Sequence, residues 1–500
     1  MKFVADLHLH SKYSRAVSQD MTLENIAKYA QLKGIKVVAT GDFTHPFWFD
    51  QLKTELVDAG NGLYRLKTND QRLSQKARAL DVSPSVLDEK KVYFLLSCEI
   101  SSIYSQGGKG RRIHNLFFFP SLASVSKFNK KLVDKKANLR SDGRPIVGIS
   151  SRDLAQIALL CDEKVLIIPA HIWTPWFSLY GSFSGFDSVE ECFGDMAKYI
   201  YGIETGLSSD PAMNWQIADL ENRAILSFSD SHSLLKMGRE ATVFEADGIS
   251  YEAIYGAIKT PAMQVRGPVA SFPPASARSS QKTAVDQKDQ VELRAVGSPS
   301  SRATRNDAKI AFTIEFHPEE GKYHYTGHRD CNFSQSPEET VKDGDICAVC
   351  GRKLTIGVMH RVEQLKSQNS KVRTEVRNGV RWVYPDGNGR PPYVSLVPLS
   401  EILSEALESG VTSKKVLDQY LVLVSTFASE FNVLLKADIE QIASVSSSKI
   451  AQGIEKVRTG DIVVGPGYDG KFGVVKIWNQ ESSNQAEKKE AEEKQLNLFA

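Results

Sequence analysis

From Lys2 to Asp230 the chain repeats one pattern: a short apolar run, then a histidine or a carboxylate. Val4-Ala5 leads to Asp6, His8 and His10, and Ile35 to Thr40 leads to Asp42 and His45. Val92 to Leu96 leads to Glu99, His114 stands just before Leu116 to Phe119, and Val165 to Ile168 leads to His171. Tyr201 to Ile203 ends in Glu204, and Ala224 to Phe228 in Asp230 and His232. Helical spacing fills the gaps, as in Leu23, Ile26, Ala27 and Ala30 between a Thr22 cap and a Gly34 stop. Apolar runs separated by helices predict a parallel sheet covered by helices. In a closed β/α barrel the C-terminal strand ends share one mouth. Strand alternation puts His8 and His10 on one face, with Asp6 beside them as a support for the two imidazoles.

Seven strand ends thus bring ten candidate ligands towards one pocket. Each alone is most simply a buried, hydrogen-bonded polar residue. A cluster of like donors at one end of successive strands has no packing motive, and its desolvation is costly without a counter-charge. Divalent cations supply that charge. Nitrogen and oxygen donors, with Cys98 the one thiol among them, suit Zn, Mn, Fe or Mg. A cage this rich can hold two or three ions, which makes phosphoester hydrolysis the leading reaction class.

Composition narrows the context. With 500 residues, 41% hydrophobic and 24% charged, the chain reads as several soluble domains. A net charge of +2 excludes gross basicity, so any nucleic-acid contact is local. No apolar run reaches membrane-helix length, and Met1-Lys2-Phe3 enters a strand directly, so the expectation is a cytoplasmic protein with no membrane partner. Six cysteines, three of them in one short segment, do not make a disulfide framework.

The expected domains are a catalytic barrel at 1–268, a disordered linker at 269–308, a zinc module at 309–368, an α+β unit at 369–478 and a disordered tail at 479–500. His328 and Cys331, followed by Cys347 and Cys350, have the spacing of one structural zinc, with His324 and His360 as alternatives to His328. Helical patterning around Val416 to Phe427 precedes a hairpin across Pro466-Gly467. No phosphate-binding loop of the Gly-x-x-x-x-Gly-Lys-Ser/Thr type occurs, which excludes helicase activity. Gln495, Leu496, Leu498 and Phe499 form an apolar island at a polar terminus and resemble the motif that docks on the bacterial replication sliding clamp.

Residues 1–268 resemble the polymerase and histidinol phosphatase (PHP) superfamily on the motifs Asp6-Leu7-His8-Leu9-His10, Glu99, His114, His171 and Asp230-Ser231-His232. The resemblance implies a distorted seven-stranded β/α barrel with a metal cage, in which Asp230, His232 and His171 serve catalysis. The second motif departs from the superfamily's Thr-Asp-His, leaving Asp42 or His45 as the ligand. Gly-Asp-Phe-Thr-His-Pro, His171-Ile-Trp-Thr-Pro-Trp176 and Glu204-Thr-Gly-Leu-Ser-Ser-Asp210 narrow the likeness to the endonuclease Q family. That implies nicking on the 5′ side of uracil, hypoxanthine or abasic sites in DNA, leaving 3′-hydroxyl and 5′-phosphate ends. Trp48, Trp173 and Trp176 follow ligands in sequence and are candidate base-stacking residues. Lys109, Arg111 and Arg112 form a basic turn suited to phosphates. The rival readings are a small-molecule phosphatase and a non-catalytic DNA-binding adaptor.

Overall fold

The computed structural model describes residues 1–67, 92–264, 308–367, 370–387 and 389–478. All but the last residue of the expected linker, and the whole tail with Gln495, Leu496, Leu498 and Phe499, lie outside them.

Strands β1 (Lys2–Asp6), β2 (Ile35–Ala39), β3 (Leu56–Asp58), β4 (Tyr64–Leu66), β5 (Tyr93–Gln106) and β6 (Lys109–Phe119) belong to one sheet, with β7 (Ile146–Val147) and β8 (Leu166–Pro169). β1 pairs in parallel with β2, and β2 with β5. β9 (Gly202–Glu204) and β10 (Ala224–Leu226) make a separate parallel pair, while β11 (Ala241–Glu245) runs antiparallel to β1. The sheet is therefore mixed where a parallel one was expected. The longest antiparallel pairing is the β5–β6 hairpin, whose Gly107 and Gly108 sit at φ 62° and 74°. Two successive positive φ values are what a two-residue hairpin turn requires, and glycine adopts them without a Cβ clash.

Alternate residues of the strands feed two cores. Phe3, Ala5 and Leu7 of the first segment join Leu116, Phe118 and Ile168 in one cluster, with Ile254 and Ile258 of helix Tyr251–Gln264. Phe117 and Phe119 face the other way, towards Phe128 of helix Leu122–Asp134. Burial on both faces is why these strands read as continuous apolar runs. Each large apolar side chain so enclosed contributes about 1.5–3 kcal/mol. Helix Leu23–Lys33 starts where Thr22 Oγ1 accepts the Asn25 N–H and stops at Gly34, φ 89°.

β12 (Lys309–Glu315) pairs antiparallel with β11, so the main sheet continues across the linker. β13 (Thr326–His328) and β14 (Phe333–Gln335) form a separate antiparallel pair, and β15 (Val372–Arg377), β16 (Val380–Pro385) and β17 (Tyr393–Ser395) extend the sheet beyond β12. Five helices between Leu399 and Thr459 follow, then the antiparallel pair β18 (Val463–Gly465) and β19 (Val474–Lys476). The helical unit docks on the first helix through a buried ion pair, Lys33 Nζ to Glu430 Oε2 at 2.8 Å. The hydroxyl of Tyr420 donates to the same oxygen at 2.7 Å, and Leu399 N–H to Glu430 Oε1 at 3.0 Å. Among the described residues no helix is long and apolar enough to cross a membrane.

Candidate metal centre

Three residues at the ends of apolar runs take left-handed backbone conformations: Asp42 (φ 50°), His171 (φ 30°) and Asp230 (φ 44°). Each turns the chain sharply after its strand, at about 1–3 kcal/mol of local strain, and such outliers concentrate at functional sites. The turn at His171 is close-packed: a Cβ on Gly206 would lie 2.3 Å from His171 Cβ.

Opposed carboxylates set the histidines. His8 Nδ1 lies 2.8 Å from Glu204 Oε1, and His10 Nδ1 lies 3.1 Å from Asp42 Oδ1. With Nδ1–H donated outward, each Nε2 presents its lone pair inward. His8 Nε2 is 3.5 Å and His10 Nε2 3.2 Å from Asp230 Oδ1. All three atoms are buried and, among the described residues, none has a hydrogen-bond partner. They form one compact group able to hold a cation; Glu99, His114 and His171 form another. Glu99 connects them. Its Oε1 is 2.5 Å from His114 Nδ1 and 3.1 Å from His171 Nε2, while Oε2 is 3.2 Å from His10 Nε2.

Charge follows geometry. Burial alone opposes ionisation of Asp230, yet His8, His10 and His232 together hold its carboxyl well below the usual range. Burial likewise works against Glu99, and His114, Arg144 and His10 overcome it. Burial depresses His114 to about 4 against the pull of Glu99. His8 and His10 go the other way. Their burial is outweighed by the surrounding carboxylates, so without a cation they retain protons. Buried lone pairs that take up protons in a ring of carboxylates fit divalent cations with nitrogen and oxygen ligands.

Several expected residues have other tasks. Asp42 and Glu204 act from behind the histidines: Asp42 Oδ2 is taken up by Ser11 N–H (2.6 Å), Ser11 Oγ (2.7 Å) and Ser14 Oγ (2.9 Å). Glu204 Oε2 accepts the His171 N–H at 2.8 Å. His45 stays out of the cluster; its Nε2 donates to Arg140 O at 3.3 Å and its ring stacks on Tyr13 at 4.5 Å. Asp6 braces the Asp230 loop, not the histidines, by accepting from Ser229 N–H and Oγ and from Gly238 N–H. His232 lies at the opening, its ring 4.7 Å from His10 and its Nδ1 3.0 Å from Asp230 O.

The tryptophans divide. Trp48 is buried, its indole N–H shared between Thr40 O and Gly41 O, and Trp173 is buried with its N–H on Asn214 Oδ1 at 2.8 Å. Both are packing residues, because following a ligand in sequence placed them behind it. Trp176 remains half-buried, stacked on the exposed Phe183 at 4.7 Å and 4°. The expected basic turn is the start of β6: Lys109 and Arg112 are exposed, and Arg111 covers the Phe186 ring at 3.9 Å. Arg144, absent from the sequence reading, stands in the site with Nη1 3.1 Å from Glu99 Oε2. No local pattern marks it, since it lies in a loop between a helix and a two-residue strand.

A third cluster able to hold a metal ion lies in the segment expected to bind zinc. His328, Cys331, Cys347 and Cys350 converge, with Cys350 Sγ 3.3 Å from His328 Nδ1. Against burial, the N–H groups of Cys350 and Val349 pull the Cys347 thiol down to about 6, as a thiolate ligand needs. His324 is buried against Tyr325, and His360 pairs with Gln364 in its own helix; neither joins the cluster.

Comparison with known proteins places these features. Residues 398–461 match the family model described as the MJ0043 C-terminal domain. The uncharacterized protein MJ0043 of Methanocaldococcus jannaschii is 28% identical over 305 residues, 61% of this chain but 31% of that protein. The uncharacterized protein YqxK of Bacillus subtilis is 28% identical over 489 residues, covering 95% of this chain and 99% of its own. Among solved structures, the lesion-specific endonuclease PfuEndoQ of Pyrococcus furiosus is 29% identical, covers 97% of this chain and 99% of its own, and superposes with TM-score 0.71. Endonuclease Q in complex with a 27-mer duplex carrying an abasic lesion at the active site gives 29% and 0.72, covering 96% of this chain and 98% of that one. In sequence and in fold, over nearly its whole length, this chain resembles endonuclease Q.

Proposed function

We propose that this chain is a metal-dependent DNA repair endonuclease that hydrolyses the phosphodiester 5′ of uracil, hypoxanthine or an abasic site. It leaves 3′-hydroxyl and 5′-phosphate ends. The carrying observation is the trio of buried, unpartnered donors, His8 Nε2, His10 Nε2 and Asp230 Oδ1, joined through Glu99 to a second histidine pair. It sits on a chain that matches an endonuclease solved with an abasic duplex along nearly its full length.

Two or three divalent ions, Zn, Mn or Mg, held by His8, His10, Glu99, His114, His171 and Asp230 would supply Lewis-acid charge and lower the pKa of water. The chain itself does the positioning. Glu204 and Asp42 lock the tautomers of His8 and His10, and Asp6 holds the Asp230 turn. His232, whose Nδ1–H donates to Asp230 O and whose ring is partly open to solvent, presents the Nε2 lone pair at the opening, where it can take a proton from the attacking water. Trp176 with Phe183 offers a flat apolar face for an unstacked base. The reading takes the strands around this centre as a PHP-type barrel, one structural zinc in the Cys347 module, and a clamp-docking tail.

The test is a duplex with one uracil or one abasic site, incubated with each metal and mapped at nucleotide resolution. A single nick on the 5′ side supports the reading. Phosphate release from small monoesters without nicking supports a phosphatase instead, and binding without either reaction supports an adaptor.

A further inference from the structure

Arg144 reaches the centre from the loop Asn138–Pro145, and the loop is built to hold it there. Gly143 N–H donates to Tyr13 O at 3.0 Å, and Gly143 O accepts from Thr44 Oγ1 at 3.2 Å. A Cβ on Gly143 would lie 2.4 Å from both Asp42 Oδ2 and Ser14 Oγ, so the backbone passes directly over the site. Ser101 N–H closes the far end on Pro145 O at 3.0 Å, and His45 anchors the near end through Arg140 O.

Of the arginine's donors, Nη1 contacts Glu99 Oε2, and among the described residues no acceptor is recorded for Nε or Nη2. The side chain is 28% exposed. The other open groups of the cluster are His232 at 32%, Asp230 at 23% and, less so, His171 at 14%, whereas His8, His10 and Glu99 are closed off at 1% or less. Arg144, Asp230 and His232 are therefore the most open groups of the site. The bland alternative is charge balance, a guanidinium neutralising Glu99. Yet cations held by this donor set would already balance Glu99, Asp42, Glu204 and Asp230. A further fixed cation at the opening then complements an incoming anion, and guanidinium geometry matches two oxygens of a phosphate.

We infer that Arg144 is a catalytic residue: its Nε and Nη2 bind the non-bridging oxygens of the phosphate group under attack, while Nη1 stays keyed to Glu99. Because this deepens the phosphodiester reading above, the experiment separates the two. Metal-loaded wild type, Arg144→Met and Arg144→Lys are compared by titration with inorganic phosphate, by metal content, and by cleavage of the abasic duplex. For Arg144→Met we expect phosphate binding weakened about tenfold and kcat/KM on the duplex lowered about 100-fold or more, with metal content and thermal midpoint unchanged. Arg144→Lys should recover part of the binding and little of the rate. Phosphate affinity and cleavage that match wild type in both variants would overturn the role, as would loss of metal in step with loss of phosphate binding. If wild type binds phosphate through Arg144 but leaves the abasic duplex intact, the endonuclease reading fails and the role of Arg144 stands.

Discussion

Whether a buried histidine is a ligand depends on which nitrogen is occupied. At His8 and His10 the carboxylates Glu204 and Asp42 take Nδ1 and leave both Nε2 atoms facing Asp230 Oδ1. Asp230 is therefore the residue whose loss should cost most. Asp230→Ala is expected to abolish nicking, a drop of about 1,000-fold or more, while duplex affinity stays within a few fold; cleavage near the wild-type rate would sink the assignment. The tryptophans give a second contrast. Trp48→Ala removes a buried indole and should destabilise the fold by about 3–5 kcal/mol in urea melts. Trp176→Ala should leave the melt nearly unchanged and weaken discrimination between abasic and intact duplex. Equal melting losses in both variants would remove Trp176 from the substrate face.

At the scale of elements, the β5–β6 hairpin and the Cys347–Cys350 knuckle each convert a local turn into a candidate site. The hairpin register sets Ser101 opposite His114, which brings His114 beside Glu99, two residues from Ser101 on the neighbouring strand. In the knuckle, Cys347 N–H donates to Arg352 O and Gly351 N–H to Cys347 O, holding Cys347 and Cys350 on one side. The module also grips the C-terminal segment, for Asp469 accepts from Arg329 N–H at 2.7 Å and from Thr355 Oγ1 at 2.6 Å. Cys347→Ser should lower zinc content by one ion per chain and lower the thermal midpoint. Any metal bound by His8, His10 and Asp230 should persist, and metal analysis after gel filtration distinguishes these outcomes. An unchanged zinc count would mean that the four residues hold no ion.

Across the whole molecule, the seam between the first helix and the C-terminal helices rests on one buried charge pair. Lys33 and Glu430 are both enclosed, and Glu430 also receives Tyr420 and Leu399. Removing one partner leaves a buried charge without its counter-ion, at about 3–5 kcal/mol. Lys33→Met is thus expected to lower stability by that order in denaturant melts, and Lys33→Met with Glu430→Gln together by distinctly less. Additive losses would show that the pair is not coupled.

The order of ligands was legible in the amino-acid sequence because it is a local property. An apolar run places a strand, and a polar residue follows at its end, as at His171 and Asp230, whereas Glu99 and His114 stand inside the long strands of the β5–β6 hairpin. The Thr22 cap, the Gly34 stop and the Cys347–Cys350 spacing are local in the same sense. What only the tertiary structure decided is the task of each side chain once the ends meet. Asp42 and Glu204 became supports for histidines because their oxygens were reached first by Nδ1–H and by serine or backbone donors. Trp48 and Trp173 turned inward because their indole N–H groups found buried acceptors. Arg144 entered the centre because a glycine beside it lets the loop pass over Asp42. Apart from the nearby acceptors of Trp48, these outcomes are contacts between residues distant in the chain, set by packing geometry, and no spacing along a sequence encodes them.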